Sequence, residues 1–372
     1  MTDPAVHAEL VKLARILETD AETIEYLSYL EAERLRTLRD GITDALFEKF
    51  RTTFSSFARL SSILPFAISA RISERVLGPM LSGRIAGEMP ADKAIELSAR
   101  LADGFVADTC LHIDPVRARP IIAAFPVERA VAITQILLER GELITMGRFV
   151  DVLPRETLLA AADAITDEAA LLKISFFVEN SEQLDVVIDH LSVERRAAIV
   201  QAAASEQLWP EIVATLLRIS PASRLAMAKL AMEQNAQTLD SLIRATAADD
   251  LWPALLQIGD EMPDGAIGTL ARQSAFGEAD VIRSVIDSVI GNHLWPHFRN
   301  QLPAMGVERV ARVIEVAAVD RGPFLWELDR HIDRADDDFE VLEAAIPHLD
   351  PATRTKAAAA CGGGLLAQAL SG

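Results

Sequence analysis

Leu208-Trp209-Pro210 decides how this chain is read. The same three residues return as Leu251-Trp252-Pro253 and as Leu294-Trp295-Pro296, with 43 residues from each tryptophan to the next. A fixed period of this length marks an array of repeated helical units. The residues around the motif keep the register. Ile212, Leu255 and Phe298 follow at one offset, Ile219, Met262 and Met305 at a second, and Met227, Leu270 and Val313 at a third. Leu239, Ile282 and Leu325 match next, and Leu242, Val285 and Leu328 after them. The matched positions are apolar and stand at helical spacing, while the polar residues between them vary. Each unit divides into three short helices, beginning near the Trp-Pro, near Pro221 and near Thr238 in the first unit.

The motif has a physical rationale. Proline in a first turn fixes φ and lacks an N–H that would be unpaired there anyway. Tryptophan one residue earlier presents a large flat surface, expected to clamp the unit to the preceding one. An earlier, divergent unit without tryptophan is marked by Phe176, Leu184 and Ile188.

Working outward, residues 166–349 form the repeat region, and 350–372 read as a last helix, Pro351 to Cys361, with a loose tail after Gly362-Gly363-Gly364. Asp333, Asp336, Asp337, Asp338 and Glu340 lack the glycine and spacing of a calcium loop and read as a solvated helix start. Residues 89–165 are a run of short helices opened at Asp114-Pro115, Phe125-Pro126 and Leu153-Pro154. Residues 1–88 form an N-terminal helical region. Leu10, Leu13 and Ile16 share one face, Thr19 and Glu22 have the spacing of a capping box, and Gly78-Pro79 and Gly83 mark turns.

Within that region, Phe47, Phe50, Phe54 and Phe57 recur every three or four residues. Between Lys49 and Arg84 six basic residues, Arg51 and Arg59 among them, stand against the single Glu74, in a chain of net charge −19. A basic amphipathic helix with an aromatic face suits either a membrane surface or a partner helix, or it docks into the protein's own core. Phe47, Phe50, Phe54, Phe57, Arg51 and Arg59 are therefore the candidate contact residues.

The composition supports an all-α chain. Half of the residues are apolar but only 5% are aromatic, and alternating β-branched tracts are missing. The fold expected is an α-solenoid, a superhelix of short helices with three-helix repeats of about 43 residues in its C-terminal half. The acidic balance disfavours nucleic acid. Cys110 and Cys361 are too few and too far apart for a disulfide framework or a zinc site. The first ten residues show neither a basic start nor a long apolar core, so a cytoplasmic protein is expected, with membrane-peripheral attachment as the variant.

No catalytic, cofactor-binding or metal-ligating set emerges. His293 and His297 are four apart, but Pro296 lies between them and no HExxH glutamate follows. The triple glycine lacks the lysine of a phosphate loop. The function expected is a non-enzymatic scaffold or regulatory adaptor that binds another protein, without a cofactor. The alternatives are a membrane-complex adaptor using residues 44–88, or a helical enzyme or small-molecule binder with an internal pocket.

His112-Ile113-Asp114-Pro115-Val116-Arg117-Ala118 and Val152-Leu153-Pro154-Arg155-Glu156 open short amphipathic helices in a manner that resembles one known family. From Leu101 to about Leu191 the chain resembles the cytoplasmic N-terminal domain of MgtE-type magnesium transporters, a superhelix similar to flagellar FliG modules. The resemblance implies a helical regulatory module. The transporter's nucleotide-sensor-like and transmembrane domains have no counterpart in this sequence, so neither transport nor a metal ligand is implied.

Overall fold

A computed structural model describes residues 4–262, 266–332 and 337–372. The chain is all-α, 79% helical, with no strand among the described residues. It divides into two compact units, Thr2–Arg195 and Arg196–Gly372.

The first unit holds α1 (Pro4–Ile16), α2 (Ala32–Ile63), α3 (Phe66–Ile72), α4 (Gly78–Ala86), α5 (Ala91–Ser98), α6 (Asp103–Cys110) and α7 (Arg119–Ala123). It continues with α8 (Val127–Glu139), α9 (Leu143–Val150), α10 (Arg155–Ala164), α11 (Glu168–Phe177) and α12 (Ser181–His190). The boundary at Arg195 falls inside α13 (Val193–Ser205). The second unit holds α14 (Trp209–Arg218), α15 (Pro221–Met232), α16 (Ala236–Ala248), α17 (Trp252–Asp260), α18 (Ala266–Ala271) and α19 (Ala279–Gly291). Then come α20 (Trp295–Met305), α21 (Val307–Asp320), α22 (Gly322–His331), α23 (Asp337–Ala345), α24 (Pro351–Ala360) and α25 (Leu365–Ser371).

The repeat runs further than its tryptophans. The helices starting at Val193, Ala236, Ala279, Gly322 and Leu365 stand 43 residues apart each time. By this spacing the helices group into the triplets α11–α13, α14–α16, α17–α19, α20–α22 and α23–α25, of which α11 and α12 belong to the first unit. The last triplet replaces the expected loose tail. Leu366 and Leu370 are buried, and Asp329 on α22 accepts hydrogen bonds from the N–H groups of Gly364, Leu366 and Ala367, capping α25. Gly364 is required there, since a Cβ would lie 2.8 Å from Asp329 Oδ1. In this triplet Asp338 takes the tryptophan's place. It is buried and paired with Arg299, not solvated as the acidic run suggested. Asp333 and Asp336 lie outside the described residues.

Within the second unit, equivalent helices pack on one another: α14 on α17, α17 on α20, α20 on α23, and α16 on α19. The Leu-Trp-Pro motif is the joint between triplets. The preceding residues Gln207, Asp250 and His293 have φ of 59°, 49° and 55°, the left-handed region that glycine usually occupies after a helix. The next N–H groups close back on the helix just ended: Leu208 to Ala203 O at 2.9 Å, Leu251 to Thr246 O and Leu294 to Val289 O at 3.0 Å. This six-to-one closure is a Schellman motif, after which proline starts the following helix at once.

The tryptophans are buried, and their polar and ring contacts run forward within their own triplet, while Trp209 also shares the lining of a small cavity with Val200 of the preceding helix α13. Trp209 donates to Ser241 on α16, Trp252 donates to Ser284 on α19, and Trp295 stacks on Phe324 of α22 at 5.2 Å. Each indole ties the first helix of a triplet to the third helix of the same triplet.

Local expectations in the first unit shift in detail. Thr19 caps nothing. The turn that follows α1 has left-handed Glu18, and a 3₁₀ segment begins at Ala21 with Asp20 at its N-cap. Asp114-Pro115 forms a turn in which the Asp114 carboxylate accepts from Val116 and Arg117 N–H, and α7 starts only at Arg119. Gly83 is not a turn. It lies inside α4 where a Cβ would meet Thr109 O at 3.0 Å, allowing α4 to approach α6 closely.

Candidate interaction surface

Helix α2 spans 32 residues, about 48 Å at 1.5 Å per residue. Its four phenylalanines divide by sevens. Phe47 and Phe54 are 2% and 9% exposed and join a core with Ala58, Ala70, Ile85 and Ile122. Their rings lie 5.7 Å apart, and the Arg117 guanidinium sits 4.1 Å from the Phe47 centroid. They are core residues and cannot serve as contacts for another molecule. Phe50 and Phe57 are 48% and 42% exposed. The reason is geometric. A step of seven nearly closes two helical turns, so Phe47 pairs with Phe54 and Phe50 with Phe57, on lines about 60° apart. The neighbouring helices cover only one line.

Leu46 and Leu60 are exposed beside that line, and Ile63 is exposed further round the helix in its last turn. Beyond it, Ile68 on α3, Val76 in the single π-helical turn Ser73–Leu77, and Met80 and Leu81 on α4 are also exposed. Half of all the large exposed apolar side chains described fall between residues 46 and 81, about a tenth of the chain. α2 packs against both α3 and α4, and the turn Ser73–Leu77 between them packs against each, so these side chains belong to one contiguous part of the first unit.

The charges there are unevenly satisfied. The carboxylates have partners: Asp44 and Glu48 face Arg117, Glu88 takes Ser55 and Arg51, and Glu74 accepts from Ala102 N–H at 3.1 Å. Arg51 is thus held by Glu48 and Glu88. Arg59, Arg71 and Arg75 are exposed and have no hydrogen-bond or ion-pair partner among the described residues. Lys49 Nζ lies 5.4 Å from the Phe50 ring.

A buried ionic cluster ties the N-terminal part of α2 to α1 and to the chain after α11. Glu9 and Lys12 on α1 and Arg39 on α2 are all buried. They converge on Glu179, which follows α11, with Lys12 Nζ at 2.8 Å and Arg39 Nη1 at 2.6 Å. Burial alone would push the Glu179 carboxyl up, but the hydrogen bonds and charges of Arg39 and Lys12 outweigh it and hold it down at about 2. Glu9 also takes Arg39 Nη1 at 2.7 Å. Sequence reading missed this set because its bonded members are up to 167 residues apart.

Other residues singled out by the sequence are held structurally. His293 occupies a left-handed turn, and His297 Nδ1 bonds Asp260. Cys110 and Cys361 are free thiols, both pushed up to about 12, chiefly by burial. Such thiols are poor nucleophiles. A small cavity between α14, α15, α17 and α18, about 40 Å³, is lined only by apolar residues such as Trp209, Met227 and Met262. It has room for one or two water-sized molecules and offers them no polar partner.

The comparisons with known proteins add no relative: no family model, no curated protein and no solved structure matches the chain. The helical character that the MgtE resemblance implied is present, and the family assignment has no support from any of these comparisons.

Proposed function

We propose that this chain is a non-enzymatic interaction scaffold whose second unit stacks its triplets as a short α-solenoid presenting a surface to another protein. The observation that carries the reading is the repeated joint. Three times, a left-handed residue, a buried tryptophan and a helix-starting proline set the next triplet in the same way. Repeated joints make each triplet lean on its neighbour and produce an extended face with variable polar residues, which is how helical arrays bind partners. The resemblance of residues 101–191 to a regulatory helical module agrees with a binding role. The apolar, water-sized cavity favours this reading over a small-molecule site.

The test is purification of the tagged full chain from its native cells after cross-linking. A partner protein at stoichiometric amounts, cross-linked to residues of the second unit, is the expected result. Repeated purifications yielding the chain alone would overturn the scaffold reading.

A further inference from the structure

We propose that the outward face of α2, together with α3 and α4, docks on an anionic lipid bilayer, lying in its interface without crossing it. The proposal deepens the scaffold reading by assigning one face of the first unit to a membrane and leaving the repeats to a protein partner.

Three observations select this occupant. The first is charge. The carboxylates of residues 44–88 are engaged within the protein, while Arg59, Arg71 and Arg75 are exposed and have no hydrogen-bond or ion-pair partner among the described residues. The surface therefore offers cations in a protein of net charge −19. Basic side chains around an apolar stripe are attracted to anionic headgroups, and their stems lie comfortably along apolar surface. The second is shape. Ile63 and Val76 are 80% and 75% exposed, so they stand out as crests. A partner helix needs a groove lined by such side chains, whereas a bilayer accepts protruding ones. The third is the seam itself. Leu46, Phe50, Thr53, Phe57, Leu60 and Leu64 follow heptad spacing and could meet a second copy of α2. Its flanks, however, carry Lys49 and Arg59, and two antiparallel copies would bring like charges together. No helix among the described residues is long and apolar enough to cross a membrane, so contact from the surface is the geometry open to these helices.

The experiment is co-sedimentation of the full chain with vesicles of phosphatidylcholine alone or mixed with phosphatidylglycerol, at low and high salt. The wild type is expected to bind the phosphatidylglycerol vesicles at least about tenfold more tightly than the neutral ones, with the preference shrinking at high salt. The combined Arg59→Gln, Arg71→Gln, Arg75→Gln variant is expected to lose about 100-fold, from roughly 1 kcal/mol per basic residue. Phe50→Ser with Phe57→Ser should abolish the salt-resistant remainder. All five side chains are exposed, so an unchanged thermal transition serves as the folding control.

Failure of the wild type to bind phosphatidylglycerol vesicles overturns the proposal, as does binding indifferent to both variants. Dimerisation in solution lost with Phe50→Ser and Phe57→Ser would assign the face to a second copy. An acidic protein released by the same variants would assign it to that partner, and either result also overturns the proposal. The scaffold reading is read separately, from partner cross-links on the repeats in the same preparations.

Discussion

Trp209 donates its indole N–H to Ser241 Oγ at 2.9 Å, and 43 residues later Trp252 donates to Ser284 Oγ at the same distance. The relation between the first and third helices of a triplet is thus written twice with the same atoms. Where the fourth triplet has Glu327 at the serine position, Trp295 turns to ring contacts with Phe324 and His331. The indole's burial is the constant feature, and its polar contact is adapted to the neighbour available.

Replacing these residues should separate the two contributions. Trp252→Ala is expected to cost about 3–5 kcal/mol, the range for emptying a large core site. Ser284→Ala should cost less, about 1–3 kcal/mol, the cost of leaving the buried indole N–H without its acceptor. Urea unfolding followed by circular dichroism measures both. Equal losses would mean that the hydrogen bond, not the packing, holds the triplet.

The left-handed joints make a second prediction. Gln207 and Asp250 are exposed and pay the steric cost of positive φ. Gln207→Gly should therefore stabilise the chain by about 1 kcal/mol. Asp250→Gly should gain less, because aspartate tolerates that conformation better than glutamine does. Valine at either position should destabilise. Thermal unfolding of the four variants gives the order, and a stabilising valine would contradict the assigned backbone.

Acid sensitivity follows from Glu179. Its carboxyl is held near 2 in the folded chain, below its ordinary value of 4.5. A depressed carboxyl contributes stability above its unfolded value and loses it as the proton returns, so this contribution should fade as pH drops from about 4.5 to 2. Glu179→Gln should cost about 2–3 kcal/mol at neutral pH, since it leaves buried Lys12 and Arg39 with less compensation. The variant should also show a flatter acid limb in urea titrations at stepped pH. A limb as steep as the wild type's would place the acid sensitivity elsewhere.

The C-terminal helix is structural. Asp329→Ala removes the acceptor for three backbone N–H groups and should cost about 2 kcal/mol. Ending the chain at Cys361 should lower the thermal midpoint further by uncovering the surface under Leu366 and Leu370. A truncated chain as stable as the full one would return residues 362–372 to the status of a tail.

What the sequence determined by itself follows from local physics. The all-α class, the 43-residue period, the helix starts at Trp-Pro and the burial of three indoles were legible. Amphipathic spacing and proline act within one or two turns. The fifth triplet was not legible, because it carries Asp338 in place of tryptophan and its third helix follows three glycines. The turns at Gln207, Asp250 and His293 were hidden because no glycine marks them. Tertiary structure alone decided which phenylalanines face out. All four lie on one wide apolar arc of α2, and the extent of its neighbours settles that Phe47 and Phe54 are covered while Phe50 and Phe57 are not. It also decided that Glu9, Lys12, Arg39 and Glu179 meet. Periodicity carries the apolar arc of a single helix, whereas the closure of charges 140 residues or more apart exists only once the helices have packed.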